Sequence, residues 1–198
     1  MVPLLMLSIA SACAERQAAP AAPLSPAAAT SSPLAVAPGT ACNKKPTVAQ
    51  TEGPYFKSGS PQRVNLLDAG MAGTPLLLTG HVLNDRCAPV PSAVLDFWQA
   101  DASGAYDNSG YRLRGHQATA ADGAYRLDTI IPGLYPGRTE HIHVKVTPSG
   151  GGTLTTQLYF PGVPRNQEDG IFDPSLVVGL ANAISGKAAT YDFILSQG

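Results

Sequence analysis

The sequence predicts an all-β domain, an antiparallel β-sandwich core with long functional loops and little helix. Three observations carry this. Short segments alternate apolar and polar residues with the period-2 pattern of half-buried strands. Turn formers cluster between those segments, with 20 glycines and 18 prolines in 198 residues. A chain of that length suits one folded unit with a hydrophobic core once its low-complexity N-terminus is set aside. Charge excludes some functions. A formal net charge of −1 and 14% charged residues leave no basic field for nucleic acid, so the partner expected is a small molecule.

Residues 1–13, MVPLLMLSIASAC, read as an export signal, an apolar run too short to span a bilayer as a helix. The ending Ile-Ala-Ser-Ala-Cys resembles a bacterial lipoprotein processing site, after which Cys13 would carry the lipid. A periplasmic or extracellular protein is therefore expected, with membrane attachment through lipidated Cys13. Residues 14–45 are rich in Ala, Pro and Ser and cannot bury enough apolar area to offset chain ordering, so they read as a flexible tether. The folded domain is expected over 46–198. In an exported chain Cys42 and Cys87 read as one disulfide fastening the start of the domain to its body, the alternative being two buried thiols.

Within the domain, strands are expected at 76–82, 93–100, 124–129, 141–146, 153–160 and 191–195. NDRCAPVP, DASGAYDNSG, TAADG, IPGLYPGR and TPSGGG separate them, each rich in turn formers. The single helical candidate is PSLVVGLANAIS at 174–185, weakened by Gly179 and its valines.

Chemistry concentrates at 132–144, PGLYPGRTEHIHV. Side chains alternate along HIHVKV, so His141, His143 and Lys145 share one face while Ile142, Val144 and Val146 share the other. Two histidines at i and i+2 lie about 6 to 7 Å apart at Cα and can both reach one metal ion. The cysteines are otherwise engaged, and the neighbouring carboxylate, Glu140, points away by alternation. Tyrosine is then a candidate anionic ligand, because a hard trivalent cation such as Fe(III) holds a phenol as phenolate far below its free pKa of about 10. Tyr135 and Tyr106 both sit on Gly-rich loops at strand ends.

These residues resemble a known family, the intradiol ring-cleavage dioxygenases of the protocatechuate and catechol dioxygenase group. The resemblance runs through TEGPYF (51–56), VPSAVLDFWQADASGAYD (90–107), RLRGHQATAADGAYRLDTIIPGLYPGRTEHIHVKV (112–146) and LTTQLYFPG (154–162). It implies a non-haem Fe(III) cofactor held by Tyr106, Tyr135, His141 and His143, with Tyr106 bound throughout turnover and Tyr135 released when substrate arrives. It further implies that Arg138 and Gln157 stand beside the substrate ring and act in catalysis, and that Gly53, Pro54 and Tyr55 form part of the substrate wall. The implied reaction cleaves a catechol between its hydroxyl-bearing carbons with both atoms of O₂, giving a muconate-type diacid. The stretch between Tyr135 and His141 is shorter than in the protocatechuate enzymes, and the helical dimerisation segment of catechol dioxygenases has no counterpart.

Other readings compete. The strands also resemble small exported β-sandwich modules without catalysis, and two histidines alone could recruit zinc, although no clear third zinc ligand is present. Tyr55, Tyr125 and Tyr159 read as packing or pocket residues and Trp98 as core. Arg138 has an ordinary alternative in an ion pair with Glu140 or another carboxylate. His81 and His116 read as surface or hydrogen-bonding histidines.

Overall fold

A computed structural model of the chain describes residues 42–196. The export signal with Cys13 and residues 14–41 of the tether lie outside the described residues. The strands are β1 (Pro75–Asn84), β2 (Val94–Gln99), β3 (Arg114–Ala118), β4 (Ala124–Ile130), β5 (His141–Thr147), β6 (Leu154–Tyr159), β7 (Gly179–Ala183), β8 (Gly186–Thr190) and β9 (Phe193–Leu195). They form two sheets. One runs β4-β1-β8-β7 with β9 also paired to β1, and the other runs β3-β2-β5-β6. The expected sandwich is present, with no long helix among the described residues.

Strand alternation builds the core. Leu76, Leu78 and Val82 of β1 and Leu127 of β4 meet Leu95 and Phe97 of β2, Ile142, Val144 and Val146 of β5, and Leu158 of β6. All are essentially buried, and each such side chain contributes about 1.5–3 kcal/mol of transfer free energy.

The helix expected over 174–185 is not formed. Pro174–Leu176 is one short 3-10 turn, and Gly179–Ala183 and Gly186–Thr190 form an antiparallel hairpin. Tertiary pairing overrides the helical pattern, because β8 lies parallel to β1 from Leu76↔Lys187 to Thr79↔Thr190 and extends its sheet. β3 also went unexpected as a strand.

The outer face of the second sheet carries the site, and it is covered. Register places Trp98 beside Arg114 and His143, and His143 beside Gln157, so these side chains share that face. An arm of chain over residues 50–63 lies across them. Gln157 Nε2 donates to the Thr51 carbonyl (2.9 Å) and Arg114 Nη1 to the Tyr55 carbonyl (2.7 Å). Lys145 pairs with Glu52, and the Phe56 ring packs edge-on to Trp98 at 4.9 Å. A disulfide joins Cys42 to Cys87 (Cα–Cα 5.8 Å), tying the segment that leads into this arm to the turn after β1.

Candidate metal centre

Two loops bring the tyrosines together. Residues 101–110 follow β2 and residues 131–140 follow β4, and the Asp101 carbonyl accepts from both Gly104 N (3.0 Å) and Gly133 N (2.8 Å). Gly104 has φ +85°, and a Cβ there would stand 2.1 Å from the Leu134 carbonyl oxygen, so only glycine lets the loops approach this closely. The Tyr106 and Tyr135 rings consequently meet edge-to-face at 5.9 Å. Buried Arg114 fixes the same loop, donating from Nε and Nη2 to the Asp107 carbonyl at 3.1 and 3.0 Å.

β5 supplies the histidines on one face, as alternation requires. His141 Nδ1 lies 2.6 Å from the Thr139 carbonyl, which can only accept. Its proton therefore sits on Nδ1, and Nε2 presents a lone pair. That Nε2 is 3.0 Å from His143 Nε2 and 3.3 Å from the Tyr106 hydroxyl. His143 lies flat against Trp98 (4.8 Å, 7°), and its Nδ1 is buried with no hydrogen-bond partner. Burial pushes His141 down to about 4, and burial together with the charges of His141, Arg138 and Arg114 drives His143 well below its ordinary range. Burial also raises the Tyr106 phenol despite the nearby cations of Arg138 and Arg114.

Such a donor set suits a hard, multiply charged cation. Two neutral imidazole nitrogens converge with a desolvated phenol that ionises only beside a positive charge. Among the described residues no group of three or more His, Cys, Asp and Glu side chains is placed to hold a metal, so the usual zinc ligand sets are not offered. Tyr135 is near but not in the convergent trio. Its hydroxyl is 2.8 Å from that of Tyr55, and the Tyr55 ring stacks on Tyr106 at 4.5 Å. The hydrogen bond to Tyr135, with burial behind it, raises the Tyr55 phenol.

Beside this cluster Arg138 Nη2 donates to Gln157 Oε1 at 2.7 Å, and Arg138 Nε to Asp169 Oδ2 at 2.8 Å. Arg138 thus has the ordinary fate foreseen for it, a carboxylate partner, and that partner is Asp169 and not Glu140. A Cβ on Gly53 would touch His143 Cε1 at 3.4 Å, and Gly53 has φ +70°, so this wall position favours glycine. Pro54 is exposed. Tyr159 donates to Gln50 Oε1 (2.6 Å) and Gln157 Oε1 (3.1 Å) at the edge of the site, with its phenol raised to about 12 by burial. Outside the site, Tyr125 packs against Phe97, His81 sits 3.4 Å from Asp192, and His116 meets Ser60. Trp98 is buried as expected, but against a site histidine and not in the inter-sheet core. Asp169 lies outside every stretch singled out in the sequence, Arg114 and Thr139 lie within 112–146 with no role assigned, and Tyr159, read as a packing or pocket residue, stands at the edge of the site.

Known proteins share this arrangement of strands. A family described as Dioxygenase matches residues 51–197. The chain is 31% identical over 150 residues to hydroxyquinol 1,2-dioxygenase from Nocardioides simplex, covering 64% of this chain and 51% of that protein. It is 35% identical over 118 residues to the protocatechuate 3,4-dioxygenase beta chain from Burkholderia cepacia, covering 50% of each. It spans about half the length of these curated relatives. Among solved structures, the dioxygenase domain of a dioxygenase carbohydrate-binding protein fusion from Streptomyces sp. SirexAA-E is 52% identical with a TM-score of 0.76, over 78% of this chain and 100% of that one. The 3-chlorocatechol 1,2-dioxygenase from Rhodococcus opacus 1CP is 28% identical with a TM-score of 0.71, over 77% and 73%. Together with the tyrosine loops and the paired histidines of β5, the match over 51–197 means that the chain belongs to the intradiol ring-cleavage dioxygenase family.

Proposed function

We propose that the protein is an Fe(III)-dependent dioxygenase that cleaves catechol-type rings between the two hydroxyl-bearing carbons, adding both atoms of O₂ to give a muconate-type diacid. The observation that carries this is the convergence on His141 Nε2, which lies 3.3 Å from the Tyr106 hydroxyl and 3.0 Å from His143 Nε2. Tyr106, Tyr135, His141 and His143 are the ligands this reading assigns. Fe(III) bound there would supply a Lewis acid that lowers the pKa of the catechol hydroxyls and accepts electron density from the ionised ring. Catechol would give up two protons on binding: Tyr135, a phenolate while it serves as ligand, would take one as it leaves the ligand set, its oxygen 2.8 Å from the Tyr55 hydroxyl, and solvent would take the other. Arg138, fixed by Gln157 and Asp169, holds a cation where negative charge builds on the ring. Gly53 keeps the wall above His143 open, and the arm over the outer sheet face keeps bulk water from the histidines.

The reading also places the domain outside the cytoplasm, tethered through lipidated Cys13. The Cys42–Cys87 bridge supports an oxidising compartment. The test is direct. Ferric-loaded protein should be wine-red and consume one O₂ per catechol, with a diacid recovered. A preparation that binds no iron and leaves catechols intact after reconstitution would return the domain to the non-catalytic sandwich class.

A further inference from the structure

The residue that aims Arg138 is not among those any motif supplies. Asp169 lies in the segment between β6 and β7, 31 positions after Arg138. Its side chain is 1% exposed. One oxygen, Oδ2, accepts from Arg138 Nε at 2.8 Å and from the buried Thr139 N at 2.9 Å, and Oδ1 accepts from Ile171 N at 3.1 Å. Thr139 in turn offers the carbonyl that fixes the His141 tautomer at 2.6 Å. A second clamp on Thr139 comes from the same segment, where Asn166 Oδ1 accepts from Thr139 Oγ1 at 2.6 Å.

These contacts divide the guanidinium. Nε is taken by Asp169 and Nη2 by Gln157, so Nη1 is the end left free of both partners. A guanidinium held at two of its three nitrogens by planar acceptors has one orientation, and its free end is aimed before any ligand arrives. The charge of Asp169 also keeps the cation from being solvated elsewhere. Burial opposes its ionisation, but hydrogen bonds from Thr139, Ile171 and Arg138 outweigh that and hold the carboxyl below its usual range.

We propose that Asp169 is a positioning residue that acts through Arg138, fixing the guanidinium so that its Nη1 end meets the charge developing on the substrate. This rests on the ring-cleavage reading above. It predicts a specific kinetic pattern, because an interaction used mainly at the transition state lowers kcat and kcat/KM together.

The test is a double-mutant cycle on ferric-loaded full-length protein with catechol as substrate. Asp169→Asn keeps the shape and one acceptor oxygen, removes the charge and turns the other oxygen into an NH2 donor. It should lower kcat about 10- to 10²-fold, with KM and the visible band per iron nearly unchanged. Arg138→Ala should lower kcat about 10²- to 10³-fold. Adding Asp169→Asn to Arg138→Ala should cost nothing further, since its effect passes through the guanidinium. The exposed neighbour Glu168→Gln should match the parent. Full additivity of the two substitutions, or an Asp169→Asn enzyme as fast as the parent, would overturn the proposal. If Asp169→Asn does not fold, Asp169→Glu takes its place in the cycle, and loss of the fold in both would assign Asp169 to stability alone and overturn it as well. A parent protein that binds iron and leaves catechol intact would instead sink the functional reading, a result visible before any variant is made.

Discussion

Removing the Cys42–Cys87 bridge, by the double substitution to serine or by reduction, tests how the arm is held. The two cysteines are 45 positions apart. Closing a loop of that length in the unfolded chain removes about 13 cal/mol/K of entropy, or about 4 kcal/mol at 25 °C. The native arm has further anchors. Thr47 N donates to the Ile194 carbonyl (2.8 Å), Gln50 N to the Thr155 carbonyl (2.8 Å) and Thr156 Oγ1 to the Val48 carbonyl (2.7 Å). The loss therefore falls on the unfolded state, and the folded site should survive at 25 °C. At about 2–4 °C per kcal/mol for a chain of this size, Tm should fall by roughly 8–16 °C. Circular dichroism melts with and without reductant measure this, alongside O₂ uptake at 25 °C and peptide mapping for the cross-link. A Tm unmoved by reduction would refute the reasoning, and so would uptake lost at 25 °C, which would mean that the bridge holds the native site.

Other outcomes follow from single contacts. Tyr106→Phe should change or abolish the visible band of ferric-loaded protein while Tm stays within a few degrees, and an unchanged spectrum would remove Tyr106 from the ligand set. Arg114→Met deletes contacts from a buried cation to the Asp107 and Tyr55 carbonyls and should cost about 2–4 kcal/mol with reduced iron retention; a Tm shift under about 2 °C would contradict the clamp described. Burial raises Tyr125 far above its usual range and Tyr191 to about 12, against about 10 in the unfolded chain. Folded pKa values raised in this way give stability that is complete below pH 10 and lost as pH climbs from about 10 toward 12, by about 1.4 kcal/mol per unit for each tyrosine. Urea melts from pH 8 to 11 should show that slope, to which the raised phenols of Tyr106 and Tyr159 add, and Tyr125→Phe should make it shallower by one tyrosine's share; equal slopes would take Tyr125 out of the alkaline sensitivity.

Much of this was legible in the chain, for identifiable reasons. HIHVKV alternates strictly, so its two faces could be assigned from period alone, and the histidines do share one face. β3 was not legible because Arg-Gly-His-Gln-Ala has no apolar face to read. Its Arg114 and His116 turn to the site side, and Gln117 spends its amide on the Arg126 carbonyl at 2.6 Å. The β7–β8 hairpin misled because Leu176, Leu180 and Ile184 recur at helical spacing. What decides that segment is the edge of β1, more than a hundred positions away, which no window contains. Asp169 was out of reach for the same reason, since nothing near it in sequence announces Arg138.

Trp98 shows where local rules give way to function. Alternation along β2 puts it on the face of Asp96 and opposite Phe97, outside the inter-sheet core to which its size and apolar ring had assigned it. Its indole Nε1 is one of two buried side-chain polar atoms left without a hydrogen bond among the described residues, and the other is Nδ1 of His143, the ring stacked on it. A buried polar atom without a partner costs about 1–3 kcal/mol, so two on one stacked pair mark a place that stability alone would not have built. The pair holds the His143 plane rigid from below, and Gly53 bounds it near Cε1. That leaves Nε2, which faces His141 Nε2 and the Tyr106 cluster, as the working end of the ring. The strain sits where a ligand would repay it, and the sheet that carries it is otherwise filled to its core.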